Sequence, residues 1–293
     1  MRPPCEPLAL LAVLATATAG SLPAQEWLDQ ASRSLTYQSS NGRFHSSLSG
    51  LLDLEGYYID QRPPGMIFGD NQDFFNPRLT LFLDTWYGTH FYSLVQVGVD
   101  RGVDPREQVH AARFDQYLLR YIPFEDSRLN LQFGKFATVF GNWVSRHYSW
   151  DNPFLNAPLP YENFTILTDQ TVPGSPAALV ARLNKPDLKS TWIPLLWGPV
   201  YAAGGAVLGQ LGKADYAVEV KNTPLSARPD YWSPLETGWD SPTVSGRIGL
   251  RPSTPWALGA SFSYGSYLQP DASGPMPAGL AATDFHQLTA GQD

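Results

Sequence analysis

The sequence predicts an all-β chain folded as a transmembrane antiparallel β-barrel, and three observations predict it. Apolar and polar residues alternate with a period of two in one segment after another. The polar face of these segments is crowded with Gly, Ser and Asp, where the outside of a soluble sandwich carries long Lys and Glu. Connections between the segments alternate between short and long, the layout of short periplasmic turns and longer extracellular loops.

Composition agrees. The 293 residues include 9 Trp, 14 Tyr and 15 Phe, with 25 Gly and 26 Pro. Charged residues make up 16%, against about 25% in soluble domains. A net charge of −7 makes nucleic acid an unexpected partner.

Residues 1–24 read as a secretory signal peptide: Arg2, an apolar run over 8–18, then small residues before a cut after Ala24 or Gly20. The run is shorter than the roughly 20 apolar residues of a membrane helix. Cys5 precedes it, and no other cysteine follows. That excludes a disulfide framework and a Cys-based metal or catalytic site. Residues 25–42 form an N-terminal periplasmic segment, and 43–293 form the barrel.

Within the barrel, about ten strands are expected, near 43–60, 78–87, 90–101, 108–122, 128–143, 200–208, 214–222, 243–251, 256–269 and from Asp284 onward. The first sets Leu48, Leu52 and Leu54 against Ser47, Asp53 and Glu55; the seventh sets Tyr216, Val218 and Val220 against Asp215, Glu219 and Lys221. Several run well beyond the five or six residues common in soluble strands, as a tilted membrane strand requires. Trp86, Tyr87, Tyr92, Tyr121, Phe124 and Trp256 gather beside the short turns, as in an interfacial girdle.

One strand breaks pattern. In "RLNLQFGKFATVFGNW", residues 128–143, the apolar set Leu129, Leu131 and Phe133 gives way at Gly134 to Lys135, Phe136 and Phe140. A bulge at Gly134 would turn Lys135 inward and send Phe136 and Phe140 out to lipid. Left outside, Lys135 would cost about 2–4 kcal/mol near the bilayer midplane. Residues 144–199 then form a loop with eight prolines, long enough to be functional.

The signal peptide, the alternating strands, the stretch Gly134-Lys135-Phe136 with Thr138, Phe140 and Gly141, and the long loop after strand five resemble Gram-negative outer-membrane porins, closest to the phosphate-selective type. That resemblance implies a barrel of 16 or 18 strands, a third long loop (here 144–199) that narrows the pore, and passive diffusion of small hydrophilic solutes, with homotrimers an open possibility. It also implies outer-membrane lipids as surroundings, no covalent chemistry and no cofactor or metal. Ten strands and an end inside a strand without a terminal aromatic lead us to expect the front part of a longer protein. The acidic composition departs from a phosphate pore and leaves anion preference open.

Lys135, Arg146 and Arg113 are candidates for a basic constriction wall, with Asp151 and Glu162 facing them from the loop. Arg120 and Arg128 read as structural. Asp53, Glu55, Asp84, Asp100, Asp115 and Glu219 are lumen candidates. Two competing readings stay open. One is a barrel without a pore, a lipid hydrolase resting on His147 or an adhesin; none of the five histidines, His45, His90, His110, His147 and His286, stands in a known catalytic motif. The other is a secreted, soluble, glycan-binding β-sandwich.

Overall fold

The structure is a computed structural model and describes residues 30, 33–61, 63–67, 73–105, 111–152, 154, 156–181, 188–235, 237–253 and 255–293. The signal peptide expected over 1–24 and His110 lie outside these residues.

Among the described residues, eleven strands form one antiparallel sheet in strict chain order: β1 Thr36–Gln38, β2 Phe44–Tyr58, β3 Asp73–Tyr87, β4 Phe91–Asp100, β5 Ala111–Tyr121, β6 Asn130–Phe136, β7 Ala202–Leu211, β8 Ala214–Lys221, β9 Thr243–Ser253, β10 Trp256–Ser266 and β11 His286–Gln292. All ten expected strands are present, and β1 adds a short edge strand inside the segment expected to be merely periplasmic. The described strands belong to one sheet, where a β-sandwich has two. Among the described residues the sheet is open: β1 covers only Ser47, Ser46 and His45 of β2, and β11 pairs only with β10.

Connections alternate as expected. At one end they are brief, at 39–43, 88–90, 122–129, 212–213 and 254–255; at the other they span 59–72, 101–110, 137–201, 222–242 and 267–285. These are called the turn end and the loop end below.

Because strand side chains alternate sides, the register fixes two faces. The outward face is apolar and exposed across the sheet: Leu54 is 67% exposed, Phe114 60%, Ile248 67% and Leu288 72%. At the turn end Phe44, Tyr87, Phe91 and Tyr121 stand in one register row across four strands. Trp86 and Tyr92 correct the expected girdle, because their parity turns them inward, where their rings meet at 4.7 Å. The inward face carries the polar residues, among them Asp53, Arg78, Gln96, Arg113, Glu219 and Arg247.

The sheet is curled around its inward face. Gly141 N–H donates to Ser261 Oγ on β10, and eight residues later Ser149 Oγ donates to Asp53 Oδ1 on β2. Eight residues reach at most about 28 Å, and a 3-10 turn at Val144–Arg146 shortens these. On a flat sheet β2 and β10 would stand roughly 38 Å apart.

The expected bulge at Gly134 is not there. β6 pairs without a register shift on both sides, Gly134 opposite Leu118 and Gly204, so Lys135 lies outward with Tyr117 and Ala203. Phe136 is buried on the inward side with Leu118 and Ala206, and Phe140 is buried in the loop core. What requires glycine at 134 is the backbone itself, since φ is 129° and a Cβ there would stand 2.2 Å from the Tyr117 carbonyl oxygen. Glycine alone tolerates both. The described bulge nearest to it is one strand earlier, where Gln96 pairs with Gln116 but Val97 with Phe114, so Asp115 and Gln116 both turn inward. Lys135, half-buried, donates from Nζ to the Phe114 carbonyl oxygen at 2.8 Å, beyond the end of the β5–β6 ladder. Its long stem keeps the ammonium satisfied on an apolar surface.

Candidate functional site

The expected strand over 128–143 ends at Phe136, so the inserted segment is 137–201, longer than the 144–199 expected. Its apolar residues build a core of their own. Phe140, Val144, Tyr161, Ile193, Leu196 and Trp197 are buried together, with Leu225 and Trp232 joining from the β8–β9 connection. Pro158 and Pro160 open a short helix, α1 Leu159–Glu162, and extended Asn163 ends it; α2 Pro176–Val180 is capped by Ser175 Oγ, which accepts from Ala178 N–H.

Two inward residues of β8 hold this segment. Glu219 accepts from Thr138 Oγ1 at 2.5 Å and from Val139 N–H at 3.1 Å. Lys221 Nζ donates to the carbonyl oxygens of Phe136 and Val200, where the segment leaves the sheet and where it returns. The two side chains stand 3.6 Å apart, with Glu219 1% and Lys221 2% exposed as residues. A buried pair survives only when its remaining hydrogen-bonding capacity is filled, and here the segment fills it. Farther along, Lys189 Nζ donates to the carbonyl oxygens of Pro63, Gly65 and Ile67 and ties the segment to the β2–β3 connection. Buried Arg228 pairs with Asp169 at 3.0 Å, tying it to the β8–β9 connection.

Among the described residues, two large cavities lie on the inward face. One, of about 840 Å³, lies toward the turn end and is bordered by strands from β3 to β10; the other, of about 480 Å³, lies toward the loop end against β2 to β5. Among the described residues, His147 and Tyr148 alone border both. Tyr148 Oη donates to Gln96 Oε1 on β4 at 2.7 Å, and its ring stacks on Trp150 at 4.7 Å. The His147 Nδ1–H donates to the Val144 carbonyl oxygen, so in the neutral ring Nε2 accepts from Tyr201 Oη–H at 3.1 Å. Burial pushes its pKa down to about 4, so the partition carries no imidazolium at neutral pH.

The cavities differ in charge. Three arginines, Arg120, Arg247 and Arg251, and two aspartates, Asp84 and Asp215, border the turn-end cavity. Arg120 donates to Gln132 Oε1 at 3.0 and 2.6 Å, with its guanidinium 5.6 Å from the Tyr92 ring, and no carboxylate pairs with it among the described residues. Five carboxylates, Asp53, Glu55, Asp100, Asp115 and Glu162, and two arginines, Arg78 and Arg113, border the loop-end cavity. Arg78 contacts Glu55 at 2.8 Å and Asp53 at 3.4 Å. Arg113 binds Asp100 and, through Nε at 2.7 Å, Asp115. Burial raises the pKa of Glu162 to about 7, against the opposing field of Lys189.

The expected constriction wall is therefore redistributed. Arg113 and Glu162 reach the loop-end cavity; Lys135 is on the outer face; Arg146 and Asp151 are exposed and border neither cavity. Of the lumen candidates, Asp53, Glu55, Asp84, Asp100, Asp115 and Glu219 all stand inward. Sequence reasoning missed Arg78, Tyr148 and the anchoring by Lys221. The parity of β3 and β8 marks Arg78 and Lys221 as inward, but nothing local marks Tyr148. No protein-family model and no curated protein sequence matches this chain.

Proposed function

We propose that this chain is the wall of a passive outer-membrane channel for small hydrophilic solutes, narrowed where His147 and Tyr148 partition the lumen. The observation that carries the reading is the inverted distribution of polarity: a continuous exposed apolar face outward, and carboxylates and guanidiniums around cavities inward. A soluble sheet buries its apolar face; a lipid-facing one shows it. The free edges of β2 and β11 need hydrogen-bond partners in a bilayer, so the proposal includes closure of the sheet, either directly or through further strands. The Phe44, Tyr87, Phe91 and Tyr121 row then sits at the turn-end interface.

Selection in such a channel is a matter of pore width and lining charge. His147 has both ring nitrogens engaged with Val144 and Tyr201, so the hydrolase alternative gains no support from its surroundings. The test is single-channel recording of the refolded protein in planar bilayers. Discrete conductance steps that widen in Tyr148→Ala are expected; a membrane that stays silent with folded protein inserted defeats the reading.

A further inference from the structure

The loop-end cavity carries more carboxylates than arginines on its border, five against two. Arg78 and Arg113, the arginines on its border, are both already engaged by carboxylates. Beside them, Asn76 is only 3% exposed, stands inward on β3 and borders the same cavity. Its Nδ2 donates to Glu55 Oε2 at 3.3 Å, which fixes the amide orientation because a carboxylate only accepts. Asn76 Oδ1 is then left buried without a donor. An unmet buried acceptor costs about 1–3 kcal/mol, so it marks a place where a donor belongs.

The cavity border also carries aromatic rings, Tyr57, Tyr148, Trp143 and Tyr161. Aromatic rings favour a nearby cation. Among the described residues no group of three His, Cys, Asp or Glu is disposed to hold a metal ion. Carboxylates, a lone carbonyl acceptor and rings together match a charged nitrogen carrying several N–H donors.

We propose that the loop-end cavity binds small organic cations, a primary ammonium or a guanidinium, with Glu55 and Asn76 Oδ1 accepting its N–H groups and the carboxylate excess holding its charge. This rests on reading the inward face as a solvent-filled lumen, and it names the solute class that the lumen favours.

The test separates binding from conduction. Agmatine is titrated into the full chain in detergent, with tryptophan fluorescence as readout and circular dichroism confirming the fold. Saturable binding of agmatine, weakened about tenfold or more in Glu55→Gln and also in Asn76→Leu, with glutarate inert, is the expected result. Absence of agmatine binding by the folded chain, unchanged affinity in whichever of the two variants folds, or equal competition by magnesium at the same concentration each overturns the proposal. Conductance recorded in parallel judges the channel reading independently: steps without agmatine binding remove only this site, and binding without steps removes only the channel.

Discussion

The two inward cavities share a wall and differ in how their charges are held. At the turn end, Arg247 is shared between Asp215 and Asp293, but Arg120 rests on a neutral amide and an aromatic ring, and guanidiniums outnumber carboxylates on the border. At the loop end, each arginine is shared between two carboxylates, and carboxylates are in excess. The difference teaches that a chain of net charge −7 need not present one sign along its lumen. Charge sign is set locally, by which inward positions each strand pair brings together, and the inserted segment keeps the two fields apart.

The sharpest way to break the comparison is to release that segment. Lys221→Met leaves Glu219 buried without its partner, which costs about 3–5 kcal/mol. Urea unfolding in micelles should show a clearly lower midpoint, and conductance should lose the partition. Next in size is Gly134→Ala, where a Cβ meets the Tyr117 carbonyl at a positive φ. About 1–3 kcal/mol of strain is expected, read as a shift in the same unfolding curve.

Two further changes sharpen the contrast without unfolding the protein. Arg120→Gln removes the guanidinium that no described carboxylate offsets, so the reversal potential in a salt gradient should move toward cation preference. At the loop end the handle is pH. Glu162 has a pKa raised to about 7 by burial, so the folded chain holds its proton more tightly than the unfolded one. This group's contribution to stability is therefore best at low pH and declines as pH rises from its ordinary value of 4.5 through about 7. Conduction goes the other way: lowering pH through 7 removes a negative charge from the loop-end cavity, and cation preference should fall. The charged group whose field acts on Glu162 is Lys189, which favours its charged form. Glu162→Gln should flatten both profiles across this range. The smallest effect is expected for Lys135→Met, which should leave the reversal potential unchanged; a shift comparable to that of Arg120→Gln would mean that Lys135 reaches the lumen after all.

Much of the fold was legible because a strand has only two faces. Alternation located all ten long strands, and the same parity placed Asp53, Glu55 and Asp100 inward. The error at Gly134 has a physical origin. Alternation equates an apolar residue with a lipid-facing one, but Phe136 packs inside against Leu118 and Ala206 of neighbouring strands, and Phe140 joins the inserted segment's own core. The cost of a lysine facing lipid argues for an inward Lys135, yet its stem reaches a carbonyl beyond the end of a ladder.

By itself, then, the sequence determined what local periodicity encodes: strands, faces, the alternation of short and long connections, and the existence of a long insertion. Only the tertiary structure decided which strand holds the bulge, which residues anchor the insertion, and that His147 and Tyr148 stand between two cavities of different charge. Those outcomes depend on contacts such as Tyr148 with Gln96 and Ser149 with Asp53, 52 and 96 residues apart in the chain. No periodicity in a strand reports a partner at that distance, because register is fixed between neighbouring strands while the insertion is fixed by the curl of the whole sheet.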